Sequence, residues 1–503
     1  MTAIWNLAAP EGRRYPALQD DLKVEVAIVG GGVTGLSTAI RLLEKGRSVA
    51  VLEALQIGQG STGNSTGNLY GTLSQGLRGV RAKWDDDDLR RVGAARSAAV
   101  DAIEARIGQY GIDCQFERRP LYFCLPDPDD RQQQELADEY EASLVAGLSA
   151  QLVDHVPDMP VPVERALLIE NQAQYNPLRY AQELAKVVAG QGGRIFEDTP
   201  VVEVDASEGR LATSTGVLTA RHIVFATHTP KGINLVQAEM EPSREYGVAA
   251  PLAGGSGPGG IFWLLDEFHS VRTYRHANRT NLVIIGEKHQ TGQGEVSENY
   301  YANLEQYARR HFDVTDFSHR WSAQQYKSAD QLPYIGRSAH DNVYVGTGYG
   351  ADGLTWGEVA SAIMTDLVMG RETEASRLFN PRRFTPMKSA KSWAALNAKV
   401  AKHLTTDYLS LDRIDGFEEV RPGEGKVVNA HGDKVAVYRS PDNVLSVLSP
   451  VCPHMKCMVQ WNPVDTSWDC PCHGSRFNAE DGSLIEGPAY SGLTRLATNS
   501  PPQ

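Results

Sequence analysis

The sequence predicts a chain of two parts: an α/β unit interleaved with an α+β unit, followed by a small all-β domain. Three observations carry this. A strand, a glycine-rich turn, a helix and a second strand occupy residues 24–53, and further strand and glycine motifs return near 200–227 and 330–370. Beyond 410 the pattern turns to short strands with hairpin signals, and these carry mixed Cys/His pairs. At 503 residues the chain exceeds the ~250–300 at which one hydrophobic core stops growing, so more than one packed unit is expected.

Composition excludes several classes. With 41% hydrophobic and 22% charged residues the chain is neither disordered nor fibrous. No apolar stretch reaches the ~18–20 residues needed to span a bilayer, and residues 1–14 lack the pattern of a signal peptide, so no membrane span and a cytoplasmic location are expected. A net charge of −13 argues against a nucleic-acid surface. The run Asp85, Asp86, Asp87, Asp88 reads as a solvated helix start. Of six cysteines, Cys114 and Cys124 read as core thiols. Cys452, Cys457, Cys470 and Cys472 cluster, which in a cytoplasmic chain suggests a metal before staples.

Residues 24–29 form a short β-branched apolar run that opens into Gly30, Gly32 and Gly35. Leu36, Ala39, Ile40 and Leu43 then recur at helical spacing until Gly46, and residues 48–52 form a second strand ending at Glu53. The glycines fit a tight turn and close approach of a pyrophosphate to a helix N-terminus, and Glu53 is placed to accept ribose hydroxyls. The loop 58–67, with Gly60, Ser61, Thr62 and Thr66, offers a second surface for a phosphate or ring. Strands are expected at 200–205, with Val202 as a cofactor contact, at 210–214 and at 217–227. After a strand at 343–345, Gly348, Gly350, Gly353, Leu354 and Thr355 lead into a helix to 369, capped by Gly370.

In these motifs the sequence resembles the D-amino-acid-oxidase-like family of FAD-dependent amine oxidoreductases over about 390 residues. The resemblance implies a glutathione-reductase-like Rossmann domain for FAD, built from about 20–75, 195–235 and 326–385. An α+β substrate domain would be built from about 76–194 and 236–325, the whole spanning 1–385. It places the 348–353 loop against the isoalloxazine with the next helix aimed at the pyrimidine edge, where a helix N-terminus stabilises negative charge. The loop 60–67 has no His or Cys to attack the ring, so FAD is expected without a covalent link. Gln325 stands where glycine-oxidase-like enzymes carry a carboxylate-binding arginine, unless Arg272 or Arg275 replaces it. Tyr246, Tyr274, His289 and Tyr349 are the candidate catalytic residues in the pocket.

Residues 389–404 read as a connecting helix, within a linker at 386–410, with Trp393, Leu396, Val400 and Leu404 on one docked face. Strands follow at 427–429, 434–438 and 444–448. Then come Cys452-Pro453-His454 and, after fifteen intervening residues, Cys470-Pro471-Cys472-His473. This pattern offers two thiolates to one iron and two imidazoles to the other of a 2Fe-2S centre. A zinc site is the competing reading, but zinc ligands usually pair as C-x-x-C and H-x3–5-H. The context, through Gly474-Ser475-Arg476-Phe477 and Gly487-Pro488, resembles a Rieske domain over 411–503. That resemblance gives Cys452 and Cys470 to the inner iron, and His454 and His473 to the outer, solvent-facing one. It also pairs Cys457 with Cys472 in a disulfide, with two free thiols as the alternative in a reducing cytoplasm. Ser475 would bond a bridging sulfide, and Phe477 lacks the hydroxyl often found there, which implies an intermediate potential within about −150 to +300 mV.

Together the two parts imply a dehydrogenase. An amine-type small molecule reduces FAD, and electrons leave through the cluster to an external one-electron acceptor protein or quinone. Electron entry through the cluster, as in a reductase, and a non-catalytic redox sensor or docking protein are the alternatives. One strand–GxGxxG–helix unit rather than two argues against an NAD(P)H reductase, and no D/E/N-x2-H-x4-H run supports an oxygenase iron. The linker predicts two separately folding regions.

Overall fold

The computed structural model describes residues 2–7, 12–255, 257–293, 296–383, 385, 388, 393–400, 412–414, 417–430 and 433–496. The apolar run near the N-terminus becomes the strand Leu22–Val29 at the centre of a largely parallel sheet. Val217–Phe225 and Val49–Leu52 pair with it on either side, with Val343–Thr347 and Arg194–Phe196 beyond. Strands buried on both faces lose the polar alternation of a half-exposed sheet, which is why Val49–Leu52 is wholly apolar and wholly buried. The helices Val33–Glu44, Pro177–Gly190 and Gly353–Val368 pack together beside it.

A buried ion pair joins three helices. Glu358 on Gly353–Val368 takes a bidentate contact from Arg106 of the helix Asp86–Tyr110, at 2.6 and 2.7 Å, and a further one from Arg41 of Val33–Glu44. Against the cost of burial, these guanidiniums hold the Glu358 carboxyl down at about 2. The acidic run opens that second helix as expected: Asp85 caps it by accepting from the Asp88 N–H at 2.8 Å. Cys114 and Cys124 are buried, and burial pushes the Cys114 thiol up to about 12.

The second unit is a nine-stranded mixed sheet. Met240–Pro251 runs between His319–Ser328 and Arg279–Gln290, and the order continues through His269–His276, Ile261–Leu264, Glu117–Leu125 and Arg165–Gln174. Successive residues of Met240–Pro251 face opposite ways. Tyr246 and Val248 pack with Tyr301 and Leu304 of the helix Tyr300–His311, while Ala249 packs with Ile285 and Trp321 on the other face. The C-terminal part holds two four-stranded sheets, Asp412–Ile414 to Leu445–Leu448 and Gln460–Asn462 to Leu484–Glu486, around Trp468, Phe477 and Leu448.

One expectation needs correction. Within the connecting segment, residues 393–400 are helical and Leu396 is buried, but Trp393 is 44% exposed; Leu404 lies outside the described residues. Trp393 therefore does not face the docked side, which is held instead by Asn397 Nδ2 donating to Ala238 O at 2.9 Å. The two parts are also in contact. Arg244 Nε donates to Asp465 Oδ2 at 2.8 Å, Ser322 Oγ to Asp465 Oδ1 at 2.8 Å, and Gln324 Nε2 to Gly474 O at 2.8 Å, all across the boundary. The Arg244 and Asp465 side chains that pair across this interface are 2% and 9% exposed.

Candidate functional site

Gly30 has φ +112°, and a Cβ there would lie 2.5 Å from Ala226 O; at Gly35 it would lie 2.0 Å from Gly30 O. Only glycine permits this close turn between strand and helix. Gly32 caps the helix Val33–Glu44 with no side-chain bond, leaving its first N–H groups to a ligand, with the Val33 N–H on Thr62 Oγ1 at 3.2 Å. Glu53 accepts from the Gly31 and Leu55 N–H groups at 2.7 and 2.9 Å, and these bonds orient its carboxylate. A cavity of about 1090 Å³ opens here.

Of the residues expected to hold the cofactor, Gly30, Gly32, Glu53, Gly60, Ser61, Thr62, Thr66, Val202, Gly350, Gly353 and Leu354 line this cavity. Gly35, Gly348 and Thr355 do not. Gly35 lies under the turn, Gly348 sits against Ser328, Tyr334 and Pro333, and Thr355 Oγ1 accepts from the Tyr70 N–H at 3.1 Å. Asp352 precedes the helix Gly353–Val368 without capping it; its carboxylate takes the Ser74 N–H and Oγ at 3.0 and 3.1 Å. That helix therefore also presents free N–H groups to the cavity.

The four candidate catalytic residues part company. Tyr274 is a core residue, packed edge-on against Trp5 with its hydroxyl taken by Asn176 Nδ2 at 3.0 Å. Tyr349 lines the cavity, but its hydroxyl reaches back to Gly346, where an added Cβ would meet it at 2.3 Å. Tyr246 and His289 both stack on Tyr300, and Tyr246 also lines the cavity. His289 Nδ1 donates to Gln290 O at 3.0 Å, so Nε2 accepts from the Tyr246 hydroxyl at 3.0 Å. Neither replacement arginine reaches the site. Arg272 gives Nη1 to Thr66 O and Asn68 Oδ1 at 3.0 and 3.2 Å and does not line the cavity, and Arg275 is exposed. Alternation on Met240–Pro251 sends the unanticipated Glu245 to the side of Gln325. Burial raises its carboxyl, and Lys288 and Gln325 act the other way. Period-two reading of that strand was the signal available for it.

Cys452 and Cys470 lie within hydrogen-bond reach of each other, and the His454 and His473 rings stand 5.1 Å apart. A disulfide joins Cys457 and Cys472, and Cys470 Sγ lies within 4.8 Å of both its sulfurs. A bonded pair has no thiolate to offer, so the donor set is Cys452, Cys470, His454 and His473. Both Nδ1 atoms are buried without a partner. His454 Nε2 donates to Gly232 O at 3.2 Å, which leaves its Nδ1 lone pair free, and burial keeps both rings neutral, His473 down at about 4. Neutral imidazoles with bare Nδ1 atoms facing paired thiols fit a 2Fe-2S centre. Ser475 is buried beside Cys452, and its Oγ accepts from the Ala489 N–H at 3.2 Å.

The imidazole side of that centre, expected to face solvent, is partly exposed and partly covered. His454 rests on Gly232, and Gln293 Nε2 donates to Pro471 O at 3.1 Å. Gly292, missed in the sequence, has φ +65° and lets the 469–471 backbone pass where a Cβ would stand 2.7 Å from Pro471 N. Both ligand loops thus lie against the first part of the chain.

A dinucleotide cleft under a mixed sheet, with a Cys2His2 centre of two irons docked on it, defines a flavoprotein oxidoreductase with an iron–sulfur domain. The chain belongs to the FAD-dependent oxidoreductase family, whose model matches residues 25–367, and residues 413–497 match the Rieske [2Fe-2S] domain. It is 32% identical over 502 residues to YhfW of Bacillus subtilis, described as a Rieske 2Fe-2S iron-sulfur protein, covering 96% of this chain and 95% of that one. It is 23% identical to the gamma-glutamylputrescine oxidoreductase of Escherichia coli, over 71% of this chain and 86% of that one. Its first part has the fold of glycine oxidase from Geobacillus kaustophilus, with a TM-score of 0.60 and 19% identity over 72% of this chain and 99% of that one. The protein is an FAD-dependent oxidoreductase, and its cofactors are FAD and a Rieske 2Fe-2S cluster. No helix among the described residues is long and apolar enough to cross a membrane.

Proposed function

We propose that the protein is a dehydrogenase for an amine without a free α-carboxylate, passing electrons singly through its C-terminal domain to an external acceptor protein or quinone. When bound, FAD supplies two-electron acceptance and the 2Fe-2S centre one-electron transfer. The observation that carries this reading is the bond from His454 to Gly232, which seats a ligand of the outer iron on the segment that follows the dinucleotide sheet. Gly292 and Gln324 hold the second ligand loop on the same surface.

The donor class rests on the wall around Gln325. With Arg272 outside the cavity lining and Arg275 exposed, no guanidinium there offers a carboxylate two parallel bonds, whereas the Glu245 carboxylate is poised to accept from an ammonium and take its proton. A cytoplasmic setting completes the reading; Cys457 and Cys472 are both buried, which shields their bond from small thiols.

The test is an anaerobic screen of amines against the matching α-amino acids, following flavin bleaching and the cluster's EPR signal. Amines are expected to reduce both centres, with turnover supported by a one-electron acceptor and little oxygen uptake. Reduction by amino acids alone, or of flavin with the cluster left oxidised, refutes it. Glu245→Gln is expected to raise the KM for the amine by about 10–100-fold, the ~1.5–3 kcal/mol of a charge-assisted hydrogen bond. An unchanged KM removes Glu245 from the donor site.

A further inference from the structure

We propose that the C-terminal domain is a wall of the FAD site: the strand Leu484–Glu486 and the residues after it, to Gly492, close the cleft over the pyrophosphate, so that both domains retain the dinucleotide.

The cavity that begins at Gly30 and Glu53 is bounded on its other side by Leu484, Glu486 and Tyr490. The position of this wall follows from the loop 58–67. Thr62 takes the Val33 N–H at the free end of the first helix, where a pyrophosphate is received. Its neighbour Ser61 bonds His228 Nδ1 at 2.9 Å and reaches Glu486 Oε1 at 3.4 Å, and Glu486 Oε1 lies 3.2 Å from the same His228 nitrogen. Glu486 therefore ties the phosphate-side loop to the C-terminal domain.

A second grip lies just beyond the last parallel strand. The Gly232 N–H donates to Pro488 O at 2.8 Å, and the half-buried Lys231 Nζ donates to Gly487 O and Ala489 O at 2.9 and 3.1 Å. A Cβ at Gly232 would meet the Tyr490 ring at 2.7 Å, and that ring packs on the cluster holding Val201 and Phe225. Lys231 and Arg244 line the cavity beside Glu53, Glu245 and Asp465, and Glu486 is balanced by His228, Arg244 and Arg476. FAD bound here can leave only when the C-terminal domain moves.

The experiment uses full-length holoenzyme, with FAD release followed after dilution as the recovery of flavin fluorescence. Tyr490→Ala is expected to speed release about tenfold while the cluster's EPR signal stays intact. Wild-type release rates in a variant with that signal overturn the proposal. If the variant loses its cluster, hydrogen exchange on the wild-type chain decides. Residues 484–492 are expected to exchange more slowly in FAD-loaded than in FAD-depleted protein, with Asp433–Arg439 unaffected; equal exchange at 484–492 overturns the proposal.

Discussion

Cys470→Ser is expected to give a protein with no cluster signal and no turnover above background with a one-electron acceptor, while the amine still bleaches its flavin. Cys470 is buried beside Cys452 and Ser475, so no water replaces its sulfur, and a serine hydroxyl is a poor donor for iron in a thiolate site. The proposed function puts donor oxidation in the cavity around Glu245 and Gln325, whose lining holds none of the four cluster donors. Saturating FAD is added throughout, because disorder at 484–492 would loosen the dinucleotide. Turnover with the acceptor at the wild-type rate would place the cluster off the electron path and end the dehydrogenase reading.

Arg106→Met is expected to destabilise the first part of the chain by about 3–5 kcal/mol, the cost of leaving a buried carboxylate without its partner. Glu358 is wholly buried and meets Arg106 through two bonds, with Arg41 as its other cation. Urea unfolding monitored by flavin fluorescence measures the loss. A second change, Glu358→Leu, is expected to restore much of it by removing the stranded charge. The pair also sets an acid limit. Because the folded Glu358 carboxyl is depressed to about 2 from its ordinary 4.5, its stabilisation is present above pH 4.5 and lost as pH falls from there towards 2. An Arg106→Met protein as stable as wild type, with an unchanged acid limit, would show that the network carries no net stability.

The sequence by itself determined what local pattern specifies. Gly30 and Gly35 between a buried strand and an amphipathic helix admit one geometry, because a Cβ would strike backbone on the adjoining strand or in the same turn, and at Gly32 it would meet the Thr62 side chain. The Cys/His spacing likewise names its chemistry, since each pair sits on one short loop and the two loops meet across a hairpin. The tertiary structure decided everything that joins residues distant in the chain. Tyr274 and Glu245 are both plausible on a strand, and only the packing of Trp5 on one and the cavity on the other assigns the first to the core and the second to the site. Arg272 became unavailable as a clamp because it does not line the cavity, its Nη1 being given to Thr66 and Asn68 some 200 positions away. Trp393 stayed exposed although its spacing matched Leu396, because periodicity marks a face without saying what covers it. The apposition of the two domains had no local signature at all. Gly232, Gly292 and Lys231 read as ordinary turn residues until His454, Pro471 and Gly487 are brought against them, and that contact is a property of the folded surface as a whole.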